Sequence, residues 1–218
     1  MHQIRTPLNI IQGFAQVLRD EMAESGSAVK MDKAEIDNIT TIMKHNVQHL
    51  SRMVLMLYDS SENRVAAAAM VQRNDQVVIN LVVRECISFT NEHFPELDIR
   101  FETELPDSAM MLTNHLYLMR TLCELLYNAA KYSDGKNICV KVQQTDKLIK
   151  FTVEDTGPGL SRSELDMVYE FFTKHDDLSE GLGLGLPLSK RHAINLGGDL
   201  TYDKSYKDGA RFVLSVPR

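Results

Sequence analysis

Glu154-Asp155-Thr156-Gly157-Pro158-Gly159 directly follows an apolar, strand-like run from Leu148 to Val153. Glycines after a strand let backbone pass close to a flat ligand, and a buried aspartate there accepts a hydrogen bond from an exocyclic amine. An ordinary Asp-x-Gly turn is spelled the same way, so the neighbouring segments must decide. Upstream, Glu124, Asn128 and Lys131 recur at four and three on a helix that Asn114 caps, which brings a carboxylate, an amide oxygen and an ammonium to one face. Downstream, Gly181-Leu182-Gly183-Leu184-Gly185-Leu186 precedes a helix expected from Pro187, an arrangement whose backbone amides suit phosphate oxygens. The spacing is neither GxxxxGK[ST] nor GxGxxG, so P-loop and Rossmann readings fail on pattern. The three segments together predict a nucleotide pocket: a magnesium ligand and a cation, then a base reader, then phosphate-facing backbone.

The elements around them read as an α/β domain over residues 77–218. Asn80 is expected to cap a helix that runs to about His93 and stops before Pro95. Asp98 to Glu104 alternates as a strand, and Leu118, Leu122, Leu125 and Leu126 point the Asn114-capped helix inward. Ile138–Gln143 and Leu148–Val153 pair around Thr145-Asp146. Ser161 to Glu180 has no strand period and reads as a mobile, polar lid. Gly197-Gly198 closes the next helix, and Asp199–Tyr202 and Ala210–Val216 finish as strands.

Residues 1–62 carry a different rhythm. Ile4, Leu8, Ile11, Ala15, Leu18 and Met22 follow strict 4-3 spacing, and Ile36, Met43, Leu50 and Leu57 recur at sevens with Thr40, Val47 and Val54 between them. Two such helices flank Ser25-Gly26-Ser27-Ala28, a small-residue turn. A hairpin alone covers too little of its seams, so a homodimer in a four-helix bundle is expected. His2 lies off the seam on the face of Arg5, Asn9, Gln12, Gln16 and Arg19, exposed for attack on phosphorus, beside the helix-bending Pro7. Residues 63–76 read as the linker between the two domains.

Composition excludes several classes. The 218 residues carry a net charge of -6, which argues against nucleic-acid binding. Cys86, Cys123 and Cys139 show no metal-ligand spacing and read as buried reduced thiols. No apolar run is long enough to span a bilayer, and the chain reads as cytoplasmic, any membrane contact belonging to sequence upstream of Met1.

The whole chain resembles the cytoplasmic core of two-component sensor histidine kinases. His2-Gln3-Ile4-Arg5-Thr6-Pro7-Leu8 is similar to the H-box, Glu124 to Lys131 to the N-box, Asp155 to Gly159 to the G1 box, Tyr169 to Phe172 to a diverged F-box, and Gly181 to Leu186 to the G2 box. Gly209 to Phe212 resembles the glycine segment before the family's last strand. The resemblance implies an α+β chain with a dimeric four-helix bundle followed by a Bergerat-type ATP-binding sandwich. It implies that Asn128, with Glu124, ligates Mg2+, that Lys131 touches phosphate, that Asp155 reads adenine, and that Gly157, Gly159, Lys174, Gly181, Gly183, Gly185 and Leu186 complete the ATP contacts. ATP would phosphorylate His2, and the phosphoryl group would pass to an aspartate on a response-regulator receiver domain. Arg5, Thr6 and Pro7 would shape that contact, with Thr6 serving a phosphatase step.

Three positions depart from the family pattern. Gln3 stands where a Glu or Asp usually takes the imidazole proton. Glu124 opens the N-box in place of Asn, as in related ATPases where a glutamate activates water, and Tyr169 replaces a Phe. Two alternatives to the kinase therefore remain at this stage: an ATPase of the same superfamily using Glu124 as base, and a nucleotide-binding scaffold that transfers nothing.

Overall fold

The computed structural model describes residues 2–23, 32–61, 74–133, 137–171 and 183–218. The chain divides into two compact units, one built on the N-terminal helices and one on the α/β segment. The expected turn at Ser25–Ala28, most of the linker, the lid residues from Phe172 to Glu180 with Lys174, and Gly181 lie outside the described residues. So do the side chains of His2, Gln3 and Ile4.

The first unit is a helical hairpin of α1 (His2–Ala23) and α2 (Lys33–Ser61), packed along one another. α1 contains Pro7, which lacks the amide that would bond the Gln3 carbonyl one turn back. α2 opens with a reciprocal cap: Glu35 N–H donates to Asp32 Oδ1 at 2.8 Å, and Asp32 N–H donates to Glu35 Oε2 at 2.9 Å. Ile39 and Pro7 are buried in the hairpin, whereas Leu8, Ile36, Val47 and Val54 stand exposed.

The second unit opens with β1 (Asp75–Val78), which runs into α3 (Ile79–His93) and is followed by β2 (Ile99–Thr103), β3 (Met110–Thr113) and α4 (His115–Tyr132). Then come β4 (Ile138–Gln144), β5 (Leu148–Glu154), α5 (Arg162–Met167), α6 (Gly185–Asn195), β6 (Asp199–Tyr202) and β7 (Arg211–Pro217). The main sheet is mixed and five-stranded, in the order β2-β4-β5-β7-β6, with β2 parallel to β4 and the other pairs antiparallel. β1 and β3 form a separate antiparallel ribbon.

α4 lies between α3 and α6, and the three cover one face of the sheet. Leu118, Leu122, Leu125 and Leu126 of α4 meet Ile149, Phe151 and Val153 of β5 and Phe212, Leu214 and Val216 of β7 in one core. Each such side chain contributes about 1.5–3 kcal/mol when fully buried. Asn114 Oδ1 accepts from Tyr117 N–H at 3.0 Å, so α4 starts where the sequence places it.

Three local expectations need correction. Asn80 does not cap α3. It lies inside the helix, buried, with its amide donating to Leu105 O at 3.1 Å and Asp107 Oδ1 at 3.2 Å, so its partners are long-range and Val78 takes the N-cap place. α6 begins at Gly185, two residues before Pro187, with Leu184 in the N-cap place and the glycine set against the Glu124 side chain of α4. The stretch after Gly159 is helical in part: Ser161 and Glu164 form a capping box that starts α5.

Candidate functional site

Strand alternation explains where the G1 residues go. Phe151 and Val153 of β5 face the helices, so Asp155, two residues on, emerges on the helix side at the strand end. Glu154 falls on the opposite face, buried between Lys141 Nζ at 2.9 Å and Arg211 Nε at 2.8 Å. Arg211 also pairs with Asp203 at 3.0 Å and lies 4.0 Å over the Tyr206 ring. Asp203 is held down to about 2, first by the Ser205 hydroxyl and amide and then by Arg211.

Asp155 is only 6% exposed. Its Oδ1 accepts two backbone amides, Gly157 N–H at 2.8 Å and Ala210 N–H at 3.2 Å. Oδ2 has no partner among the described residues. Burial pushes this carboxyl above the usual aspartate range, opposed by the two amides. A desolvated carboxylate with one oxygen fixed and the other open is an acceptor in wait of a donor.

The glycines that surround it are required by close approach. A Cβ at Gly157 would stand 2.7 Å from Tyr132 O at the end of α4, and one at Gly209 would overlap Asp155 O. Gly159 adopts φ +69°, which glycine alone takes without strain. Gly183 adopts φ +65° just before α6, and a Cβ at Gly185 would overlap Glu124 Oε1. The buried Glu124 carboxylate of α4 therefore meets the first turn of α6, where unsatisfied amides gather.

Asn128 follows one turn along α4 and Lys131 nearly another, both half-buried. No partner for the Asn128 amide is found among the described residues, and Lys131 Nζ sits 5.3 Å from the Tyr132 ring centroid. Leu186 packs against the core from α6. The structure thus brings together Glu124 and Gly185, and separately Asp155, Gly157, Gly159 and the end of α4.

The donor set fits a nucleotide with a hard cation. Among the described residues there is no group of three His, Cys, Asp or Glu side chains able to cage a metal. Mg2+ commonly takes one or two protein oxygens and fills the rest with phosphate and water, which the Asn128 amide and Glu124 carboxylate can supply. The orphaned Oδ2 of Asp155 matches an amine on a base.

Sequence reasoning did not anticipate Tyr202, Ala210 and the Glu154 ion pairs. Ala210 bonds Asp155 in both directions, Asp155 N–H donating to Ala210 O at 3.0 Å and Ala210 N–H to the Asp155 side chain. The glycine at 209 was the available signal, since a strand that starts just after a glycine has room for another backbone.

Two family models match the chain. The His Kinase A (phospho-acceptor) domain matches residues 1–64, and the histidine kinase-, DNA gyrase B-, and HSP90-like ATPase domain matches residues 113–218. The chain belongs to the two-component sensor histidine kinases. The aerobic respiration control sensor protein ArcB of Escherichia coli (strain K12) is 26% identical over 224 residues, covering 99% of this chain and 27% of ArcB. This histidine kinase core thus spans about a quarter of such a relative's length. The crystal structure of full-length ShkA in complex with AMPPNP superposes with a TM-score of 0.67 at 24% identity, over 99% of this chain and 44% of ShkA. The Acinetobacter baumannii histidine kinase AdeS gives 0.65 at 20% identity, over 100% of this chain and 98% of that one. These two likenesses bear on the fold, a helical hairpin followed by an ATPase sandwich. Among the described residues, no helix of the core is long and apolar enough to cross a membrane.

Proposed function

We propose that this core binds ATP, phosphorylates His2 and donates the phosphoryl group to an aspartate on a response-regulator receiver domain. The observation that carries the nucleotide half is the buried Asp155 carboxylate, whose Oδ1 is fixed by Gly157 and Ala210 while Oδ2 is left for the adenine amine. Gly183 and Gly185 offer backbone amides at the entrance to α6 for the phosphates, with Gly181 and Lys174 completing the set and Lys131 adding charge. Asn128 and Glu124 would hold Mg2+, which when bound neutralises phosphate charge.

The N–P bond forms as an imidazole nitrogen of His2 attacks the γ-phosphorus and the bond to the β-γ bridging oxygen breaks, leaving ADP. The imidazole proton then needs an acceptor. Gln3 offers an amide oxygen of low basicity, so water is the acceptor and the step is slow. The exposed Leu8, Ile36, Val47 and Val54 support a homodimer through the hairpin, in which a second copy covers them. The core works in the cytoplasm.

A second reading has its own support. The buried Glu124 carboxylate lies against Gly185 at the phosphate end of the site, where a base that activates water would sit. Incubation with γ-labelled ATP separates the outcomes: acid-labile protein label that disappears in His2→Ala supports the kinase, free phosphate without protein label supports the ATPase, and neither leaves a binding scaffold.

A further inference from the structure

Tyr202, the last residue of β6, and Gly209 and Ala210, just before β7, lie against the glycine loop after β5, from a part of the chain that the phosphate and magnesium segments do not use. Leu160 N–H donates to Tyr202 Oη at 3.2 Å. A Cβ at Gly159 would stand 3.2 Å from the same oxygen and 2.9 Å from Gly209 O. The Tyr202 ring is itself fixed, edge-on to Phe212 with centroids 5.3 Å apart and planes at 74°. Tyr202 also faces Phe212 in the strand register, so ring and backbone are anchored by the same pair.

The loop from Asp155 to Leu160 is therefore held at both ends by residues that flank the β6–β7 connection. At its near end, Ala210 accepts from Asp155 N–H and donates to Asp155 Oδ1. At its far end, the hydroxyl of Tyr202 receives Leu160, immediately before the Ser161 cap of α5. Between the two anchors lies Gly159 at φ +69°, a soft joint with no side chain to limit it.

We propose that Tyr202 is a positioning residue for base recognition: its hydroxyl fixes the far end of the glycine loop, and so the direction in which Asp155 presents its unpartnered oxygen. The proposal rests on the reading of Asp155 as the adenine acceptor. Tyr202 does not touch the base; it acts through Leu160 and the loop. Loss of the hydroxyl leaves the ring on Phe212 and frees one end of the loop, which spends part of the binding energy on reordering. A net hydrogen bond of about 1–1.5 kcal/mol corresponds to roughly five- to tenfold in affinity.

The test compares wild type, Tyr202→Phe and Asp155→Asn by calorimetry with ATP and with inosine triphosphate, whose base has a carbonyl in place of the exocyclic amine. Amide hydrogen exchange at Leu160 and the melting temperature are measured alongside. Tyr202→Phe is expected to lower ATP affinity about five- to tenfold, leave the inosine nucleotide unchanged, speed exchange at Leu160 and melt cooperatively only a few degrees below wild type. Equal loss for both nucleotides, or unchanged ATP affinity, overturns the positioning role. If Asp155→Asn itself keeps full discrimination, the adenine reading fails, and the Tyr202 proposal falls with it. If Asp155→Asn abolishes discrimination and Tyr202→Phe retains it, the adenine reading stands and the Tyr202 proposal alone is refuted.

Discussion

Mild acid should destabilise the nucleotide domain through one imidazole. His192 of α6 is 4% exposed, with its ring stacked on Tyr117 of α4 at 4.6 Å between centroids and 14° between planes. Burial, and then the charges of Arg120 and Arg191, hold its pKa down to about 3. The folded value lies below the ordinary 6.5, so the fold keeps the ring neutral while the unfolded chain takes up a proton below that pH. The stability contribution is complete above pH 6.5 and is lost as pH falls toward about 3, at up to about 1.4 kcal/mol per pH unit. Between pH 7 and pH 5 the loss works out at about 2 kcal/mol, a sizeable share of the roughly 5–15 kcal/mol that holds a domain together. His192→Phe keeps an aromatic surface for Tyr117 and removes the titration. Urea unfolding at the two pH values, read by tyrosine fluorescence, is the assay: the chain has no tryptophan, and of its seven tyrosines all but Tyr58 lie beyond residue 74. The wild type should lose about 2 kcal/mol more than the variant on going to pH 5. Equal losses in the two proteins would refute the reasoning, whatever the absolute stability of the variant.

Gln3→Glu should restore a proton acceptor beside His2 and speed single-turnover phosphorylation, general-base assistance being worth roughly 10² to 10⁴-fold, with ATP affinity unchanged; an unaltered rate at saturating ATP defeats that explanation. Tyr169→Phe should raise stability by about 1 kcal/mol in urea titration, because the Tyr169 Oη is buried with no partner among the described residues. A loss of stability would mean the hydroxyl is bonded after all. ATP affinity should fall on acidification at a higher pH than an ordinary aspartate would give, since burial raises the Asp155 pKa and only the ionised form accepts on both oxygens; a flat profile from pH 7 to pH 4 in calorimetry contradicts it. Val54→Glu in α2 should convert a dimer to monomer by placing an unpaired charge in the seam, a cost of several kcal/mol. Light scattering that finds the wild type monomeric at micromolar concentration removes the premise.

Legibility tracked the range of the interactions. Leu118, Leu122, Leu125 and Leu126 announce the buried face of α4 by their spacing alone, and Asn114 announces its start, because both are decided within a few residues. Asn80 has the same cap-forming chemistry yet takes partners 25 and 27 residues away, which no local pattern contains. The Ser161-x-x-Glu164 box was present in the letters, but the helix after it is six residues long and buries none of them, so no apolar period drew attention to it. At the site, the glycine and carboxylate identities were readable because ligand chemistry restricts them. Their supports were not: Ala210 reaches Asp155 across 55 positions, and Tyr202 reaches Leu160 across 42.

The order of the main sheet leaves β2 and β6 with one ladder of backbone groups each that no neighbouring strand pairs among the described residues. Such margins are templates for a foreign strand. Both are blunted. β2 carries Arg100 and Glu102, paired at 2.8 Å, and Glu102 lies 3.9 Å from Lys141 of the next strand, so an incoming strand would meet fixed charge. β6 is only four residues long and begins with Asp199, tied to Lys190 of α6. The charges on these margins act as a guard against polymerisation of the sheet, and neutralising them together would be felt first in solubility.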